Sequence, residues 1–550
     1  MRYVIGYDFG TLSVRAVLVD AECGREVAKS AVNYEHGVMD VALPSGRRLP
    51  SGFALQHPLD YIKSMSLATA EIIKESGISP DEVVGIGVDF TSSTVMPIDS
   101  HGMPLCTRDE FSDDEHAYVK LWKHHGATAE AEDIESLARM RGEDWLSVYG
   151  GAVSCEWALP KILETLRAAP RVYQAAHSFI EAGDFITLYL TGADVRSLSF
   201  AGYKSFYNLP CGYPCNEFYT SLDERMDGFV GGKIPSAAVS VGTRAAVLNS
   251  RGRELLGLGE GCAVAVPLID AHAPMASLNM TRAGDMIMIL GTSGCYIVNS
   301  DEKKSAEGLW GYVPDSVIPG LYTYEAGQSA FGDALAWFAE NCVPHAYIDE
   351  ARSLGVDIHT LLTEKAERLL PGESGLLSLD WFNGNRSVLS DSNLSGMILG
   401  LTLKTSPEEI YRAIIEGVAF GARVIVEQYE KNEIPIRRVA ASGGIAGKNP
   451  LLMQILSDVL NREISVPEIS EAGARGSAIY ASVAGGVYTS VTEAAESFAA
   501  NEAKIYVPCE KSARIYDRLY SEYKAMHDYF GRENPLMHRL RALSEESTLE

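Results

Sequence analysis

Two short segments of this chain combine glycine with a hydroxyl side chain: Gly10-Thr11 and Gly291-Thr292-Ser293. Glycine lets the backbone approach the oxygens of a phosphate, and Thr or Ser adds a hydroxyl donor. Asp8 stands just before the first segment, where a carboxylate can hold Mg2+ through water. Either segment alone reads as an ordinary hairpin turn. Their appearance at corresponding points of two halves of the chain favours a pair of phosphate-binding turns. Other phosphate cradles are missing. Gly444-Ile445-Ala446-Gly447-Lys448-Asn449 lacks the spacing of a P-loop, and no G-x-G-x-x-G opens a helix after an early strand.

A carboxylate offers a second kind of chemistry. Asp270 ends the apolar run from Ala263 to Ile269, which places it at the carboxyl end of a strand, at a cleft between two lobes. There it serves either as a general base toward a hydroxyl attacking a γ-phosphorus, or as the N-cap of the following helix.

These residues need strands and helices to hold them. Tyr3 to Asp8 and Val14 to Asp20 predict a β-hairpin with Gly10 at its tip, followed by an amphipathic helix from Pro58 to about Ser76 and a buried strand over 83–89. The pattern returns in the second half: a strand over 285–290, the turn at 291–294, a strand over 295–298, a long helix from about Ser406 to Asn432, and a strand ending in Ser442-Gly443-Gly444. A chain of 550 residues is long enough for two large domains. The Gly-rich stretch Gly257 to Gly261 suggests lobes of 1–260 and 261–550. The class is α/β. Residues 511–531, with Ile515, Leu519, Tyr523 and Met526 at helical spacing, predict a terminal amphipathic helix packed on the body.

The net charge of −26 repels nucleic acid and anionic lipid, so neither nucleic acid nor membrane is an expected partner. An anionic nucleotide must then be held locally by backbone N–H groups, helix N-termini and Mg2+. The nine cysteines are scattered, and Cys211 and Cys215 form only a CxxxC, so reduced thiols are expected. The N-terminus reaches Asp8 too early for a signal peptide, and no apolar run approaches the roughly 20 residues of a membrane span. The cytoplasm is the expected compartment.

Asp8-Phe9-Gly10-Thr11 resembles the first phosphate motif of the superfamily that joins actin, the large heat-shock chaperones and the sugar kinases. Ile289-Leu290-Gly291-Thr292-Ser293-Gly294 resembles the second, and Ala441 to Asn449 is similar to the adenosine motif. Gly396-Met397-Ile398-Leu399-Gly400-Leu401, followed by Glu409-Ile410 and Ala413 to Glu416, resembles a signature of the FGGY carbohydrate kinases. As helix physics, Ile410, Ala413, Ile414 and Gly417 mark only an apolar face. Gly87 to Thr94, Leu121 to His125, Ala201 to Ser205, Asp270-Ala271-His272, Tyr324 to Ser329 and Leu379 to Arg386 resemble the branch of that family that acts on L-ribulose.

The resemblance implies two actin-like (ribonuclease H-like) lobes with ATP and a sugar in the cleft between them. It implies that Gly10, Thr11, Gly291, Thr292, Ser293, Gly443, Gly444 and Asn449 bind ATP, with Mg2+ at Asp8. Asp270 becomes the general base, and Ser92, Lys204 and Glu325 bind a ketopentose. Trp122 is either core or a sugar-stacking wall. Without the resemblance Lys204 is a surface lysine and Glu325 a solvated strand end. His124 and His125 read as the polar face of a helix and receive no role. The implied reaction is γ-phosphoryl transfer from Mg·ATP to the 5-hydroxyl of L-ribulose, in arabinose catabolism. D-ribulose or ribitol is the alternative substrate, and an actin-like or chaperone-like ATPase cycle the alternative class. A homodimer is the family-level expectation.

Overall fold

The computed structural model describes residues 1–304, 307–500 and 502–549. The N-terminal apolar runs become strands β1 (Tyr3–Phe9), β2 (Ser13–Asp20) and β3 (Glu26–Asn33), joined through helix α1 (Pro58–Ser76) to β4 (Val83–Phe90). In β1 every residue except Asp8 is buried, as a strand covered on both faces requires. Helix α1 starts with Pro58 in its first turn and ends at Gly77, whose left-handed conformation (φ 67°) suits a residue without Cβ. The first lobe continues through β5 (Val95–Ile98), α2 (Ala158–Ala168), α3 (Leu198–Lys204), β6 (Arg244–Val247), β7 (Ala263–Ala265) and β8 (Leu268–Ile269). The main sheet runs β3-β2-β1-β4-β7-β6, with β8 also paired to β4.

The second lobe repeats this plan with β9 (Asp285–Leu290), β10 (Gly294–Ser300), β11 (Trp310–Pro314), β12 (Tyr322–Gln328), helices α4 (Gly332–Asn341) and α5 (Pro407–Lys431), and β13 (Arg438–Ser442). Then follow α6 (Gly444–Lys448), α7 (Pro450–Leu460), β14 (Ile464–Pro467), α8 (Ala472–Ala484), β15 (Ala503–Tyr506) and α9 (Glu510–Asp528). Its sheet runs β11-β12-β10-β9-β13-β14-β15. In each lobe the first strand pairs antiparallel with the second and parallel with a later one: β1 with β2 and β4, β9 with β10 and β13. The repeated order is that of two actin-like lobes.

The Gly-rich stretch at 257–261 does not close the first sheet. Strands β7 and β8 follow it and pair with β4, so the passage between sheets falls between Ile269 and Asp285. The run from Ala263 to Ile269 is also broken, into two short strands around Val266-Pro267. Helix α8, late in the chain, lies on the first sheet. A Cβ on Gly6 would fall 1.7 Å from the Ala474 carbonyl oxygen, and one on Gly87 would fall 1.9 Å from that of Ser477. These two glycines let helix and sheet meet at backbone distance.

Helix α5 explains part of the family signature. Ser406 and Glu409 form a capping box, with the Ser406 N–H donating to Glu409 Oε2 at 2.7 Å. Glu416 is buried and bonded to Arg412 Nε at 2.9 Å and to the Tyr516 hydroxyl at 3.1 Å. The terminal helix packs as expected but on a shifted face: Tyr516, Tyr520, Tyr523 and His527 are buried, while Leu519 and Met526 lie at the margin and Ile515 is half-buried. His124 is on no helix. It is fully buried, with Nε2 2.9 Å from Glu164 Oε2, which also accepts from Lys120 Nζ at 2.6 Å. Among the described residues no helix is long and apolar enough to cross a membrane.

Candidate active site

The parallel pairing of β1 with β4 sets Asp8 opposite Asp89. Asp8 accepts from Arg15 Nη1 at 3.1 Å, its register partner across the hairpin. Asp89 is fully buried; its Oδ2 accepts from the Ser477 hydroxyl at 2.7 Å, while its Oδ1 has no hydrogen-bond partner. Burial first, and Asp8 next, push the Asp89 carboxyl well above the usual carboxylate range.

Asp270 follows directly. Its N–H donates to the Phe90 carbonyl at 2.9 Å, extending the β8–β4 ladder past the end of the strand. Its Oδ1 accepts from the Ala271 N–H at 2.7 Å. The helix that follows spans Pro274–Ser277 with Ala273 as its N-cap, so Asp270 does not cap it. Burial, and then the neighbouring Asp8, raise the Asp270 carboxyl to about 7.

The second lobe supplies the facing group. Glu325 stands on β12, with Oε2 3.3 Å from His272 Nε2 and Oε1 4.0 Å from Lys204 Nζ. Burial acts to raise its pKa, but Lys204, His272 and Arg386 outweigh burial and hold it at about 2. Lys204, at the end of α3, is no free surface lysine. Its ammonium lies 5.2 Å from the ring centre of Trp310 and 5.9 Å from that of Trp157, and the Arg386 guanidinium is 5.4 Å from Trp310. Glu325 is likewise no solvated strand end.

Each glycine turn is closed by a main-chain bond from its glycine, three residues on in the first turn and two in the second, which is one residue shorter. The Gly10 N–H donates to the Ser13 carbonyl and the Gly291 N–H to the Ser293 carbonyl, each at 3.0 Å. Thr11 is tied from two sides: its carbonyl accepts from Gln56 Nε2 at 2.7 Å, and its hydroxyl from Trp122 Nε1 at 3.1 Å. Trp122 is therefore not core; it is 38% exposed and stands at the first tip. Thr292 and Gly291 carbonyls accept from Phe331 and Gly332, fixing the second tip to the start of α4.

Gly443 has φ 100°, and a Cβ there would fall 2.5 Å from the Leu290 carbonyl, so the adenosine motif abuts the end of β9. Neither Gly444 nor Gly447 has an atom within 4 Å of its Cβ position. Asn449, at the end of the motif, also caps the next helix. Its Oδ1 accepts from Leu452 N at 3.0 Å, capping α7, and its Nδ2 reaches Thr363 at 3.5 Å. Ser92 lies half-buried in the turn after β4, but the bare hydroxyl of that turn belongs to Ser93, which is buried with φ 55°.

The donor set fits the groups this chemistry needs. The partnerless Asp89 oxygen beside Asp8 and Asp270 suits a hard divalent cation, and the bare backbone at Gly444 and Gly447 suits a nucleotide. Paired glycine turns, carboxylates at strand ends and the Lys204–Glu325–His272 cluster joining two actin-like lobes fit a nucleotide-dependent phosphotransferase.

Comparison with known proteins agrees. The N-terminal domain model of the FGGY family of carbohydrate kinases matches residues 3–273, and the C-terminal domain model matches 286–485. The chain is 45% identical over 548 residues to a ribulokinase of Halalkalibacterium halodurans, covering 98% of this chain and 97% of that protein. It is 43% identical to a ribulokinase of Bacillus licheniformis, covering 98% of each. Among solved structures it superimposes on a xylulose kinase from Rhodospirillum rubrum with a TM-score of 0.81 at 25% identity, covering 98% of this chain and 100% of that one. The chain belongs to the FGGY family of carbohydrate kinases. It is a sugar kinase, and ATP is the phosphoryl donor its family implies.

Asp89, Ser93, His272, Arg386, Trp157, Trp310 and Ser477 escaped the sequence reading as site residues. Asp89 had a signal, since it ends a buried strand as Asp8 does. Ser477 had none, because its contact with Asp89 spans most of the chain.

Proposed function

We propose that this kinase transfers the γ-phosphoryl of Mg·ATP to the 5-hydroxyl of L-ribulose, giving L-ribulose 5-phosphate and ADP. The single observation that carries the chemistry is Asp270: a carboxylate raised to about 7, at a strand end, facing the Glu325–Lys204 pair of the cleft. A general base works best with a pKa near the working pH. Oδ1 of Asp270 is engaged by the Ala271 N–H, leaving Oδ2 to take the hydroxyl proton. As the proton leaves, the sugar oxygen bonds to the γ-phosphorus, the bond from that phosphorus to the bridging oxygen of ADP breaks, and ADP departs.

Lys204 offers hydroxyl-directed donors and Glu325 an ionised acceptor, a combination that suits a polyol chain. Asp8 and Asp89 would hold Mg2+, which neutralises charge on the phosphates when bound. The turns at Gly10-Thr11 and Gly291-Thr292-Ser293 would take the phosphates, and Gly443-Gly444 the adenosine side. The choice of L-ribulose rests on the ribulokinase relatives together with this pocket. The nine cysteines are all unpaired, in keeping with a cytoplasmic enzyme of arabinose catabolism. The test is ADP release from Mg·ATP with L-ribulose, D-ribulose, D-xylulose, ribitol or no sugar. Release that depends on L-ribulose supports the assignment, whereas release only with another sugar overturns the substrate and leaves the mechanism standing.

A further inference from the structure

Phosphoryl transfer makes no use of a second cluster, at the start of α1. His36, His57 and Asp60 each place a donor atom within 4.8 Å of the others. His57 precedes the helix as its N-cap residue yet makes no side-chain capping bond. Asp60 lies buried in the first turn. His36 arrives from the segment after β3; its main-chain N–H donates to Asp60 Oδ2 and its Nδ1 lies beside Asp60 Oδ1, each at 2.9 Å. The two imidazoles stack, with ring centres 4.8 Å apart and planes 25° apart.

One feature is not explained by helix capping. His57 Nδ1 is buried and has no hydrogen-bond partner, so its desolvation is uncompensated. A cation shared by the three side chains would satisfy the imidazoles together. The donor types choose the ion: two imidazoles and one carboxylate suit Zn2+ and similar transition metals, whereas Mg2+ and Ca2+ prefer oxygen alone. The second Asp60 oxygen is already fixed by the His36 N–H, the outer contact that orients a ligating carboxylate.

We propose that His36, His57 and Asp60 bind one Zn2+-class ion, distinct from the catalytic Mg2+, with the remaining coordination position open to solvent beside exposed His36. The position couples the ion to the active site. Gln56, next to His57, donates to the Thr11 carbonyl at 2.7 Å, and Tyr34, two residues before His36, donates its N–H to the Leu12 carbonyl at 2.9 Å. An ion joining His36 to His57 therefore clamps both supports of the first phosphate turn.

The full-length protein, stripped with a chelator, is titrated with Zn2+ alone in competition with a chromophoric chelator. Wild type is compared with His57→Ala, with His36→Gln at the exposed position, and with a Cys211→Ala, Cys215→Ala double variant that controls for thiol binding. Wild type and the cysteine variant should bind one Zn2+ per chain more tightly than about 10 μM. Both histidine variants should bind at least tenfold more weakly, and Co2+-loaded wild type should lack a sulfur charge-transfer band. Equal affinity in the histidine variants, loss of binding in the cysteine variant, or no binding by wild type would overturn the proposal. Sugar-dependent ADP release from Mg·ATP by the zinc-free histidine variants shows that they are folded.

Discussion

Asp8 and Asp89 face each other across two parallel strands at the carboxyl edge of the first sheet, and only Asp8 has a cationic partner. Asp89 keeps one oxygen bare and is pushed well above the usual carboxylate range by burial and by Asp8.

The first prediction follows from that carboxylate. Asp89 has a raised pKa in the folded state, so between the ordinary carboxylate pKa and its folded pKa folding takes up a proton, and this uptake costs more stability as pH rises through that range. Asp89→Asn removes this cost. Without Mg2+ or ATP, its Tm should exceed that of wild type by at least about 2 °C at pH 8, with the gain shrinking toward pH 5. Its requirement for Mg2+ in turnover should increase. Scanning calorimetry across pH checks the sign; a variant less stable at pH 8 than at pH 5, relative to wild type, would contradict it.

Lys204 and Glu325 test the sugar pocket. Lys204→Met removes the largest influence holding Glu325 at about 2 and one charged donor, a loss of about 1.5–3 kcal/mol in a bond to a charged group. The KM for L-ribulose should rise about 10- to 150-fold with ATP affinity unchanged. Equal loss of affinity for both substrates would point to a structural role.

Gly444 tests the adenosine motif. No atom lies within 4 Å of its Cβ position, so Gly444→Leu should fold normally. Its side chain should occupy the nucleotide side of the cleft and raise the KM for ATP by at least about tenfold. Unchanged ATP affinity, measured by nucleotide titration, would remove Gly444 from the site.

The pH profile isolates Asp270. A base must be ionised to act, and Asp270 is raised to about 7 while Glu325 stays ionised far below that. At saturating Mg·ATP, kcat/KM for the sugar should fall about tenfold per pH unit below about 7 and level off above it. A profile flat down to pH 5 would contradict the assignment.

Much of this site was legible because its signals are local. Gly10 and Gly291 each lie within a few residues of the strands they join, and Asp270 ends its own apolar run. The rest depends on distant contacts. The approach of α8 to Gly6 and Gly87, and with it the Ser477 bond to Asp89, joins the two ends of the chain, and no periodicity records it. His124 resembled a surface residue because its partner Glu164 lies on α2. Asn449 lies in the adenosine motif and also caps α7, a second use that the motif did not reveal although an Asn before Pro450 suits it. The terminal helix turned its tyrosines inward because their hydroxyls find partners there: Tyr516 with Glu416, Tyr520 with Glu427, and Tyr523 with Asp380.

The most direct test of the account is turnover by Asp270→Asn with L-ribulose and Mg·ATP, measured beside its ATP affinity. Asparagine keeps the shape and cannot accept the proton. The account predicts a kcat lower by about two to four orders of magnitude with ATP binding retained. Turnover near that of wild type would contradict it.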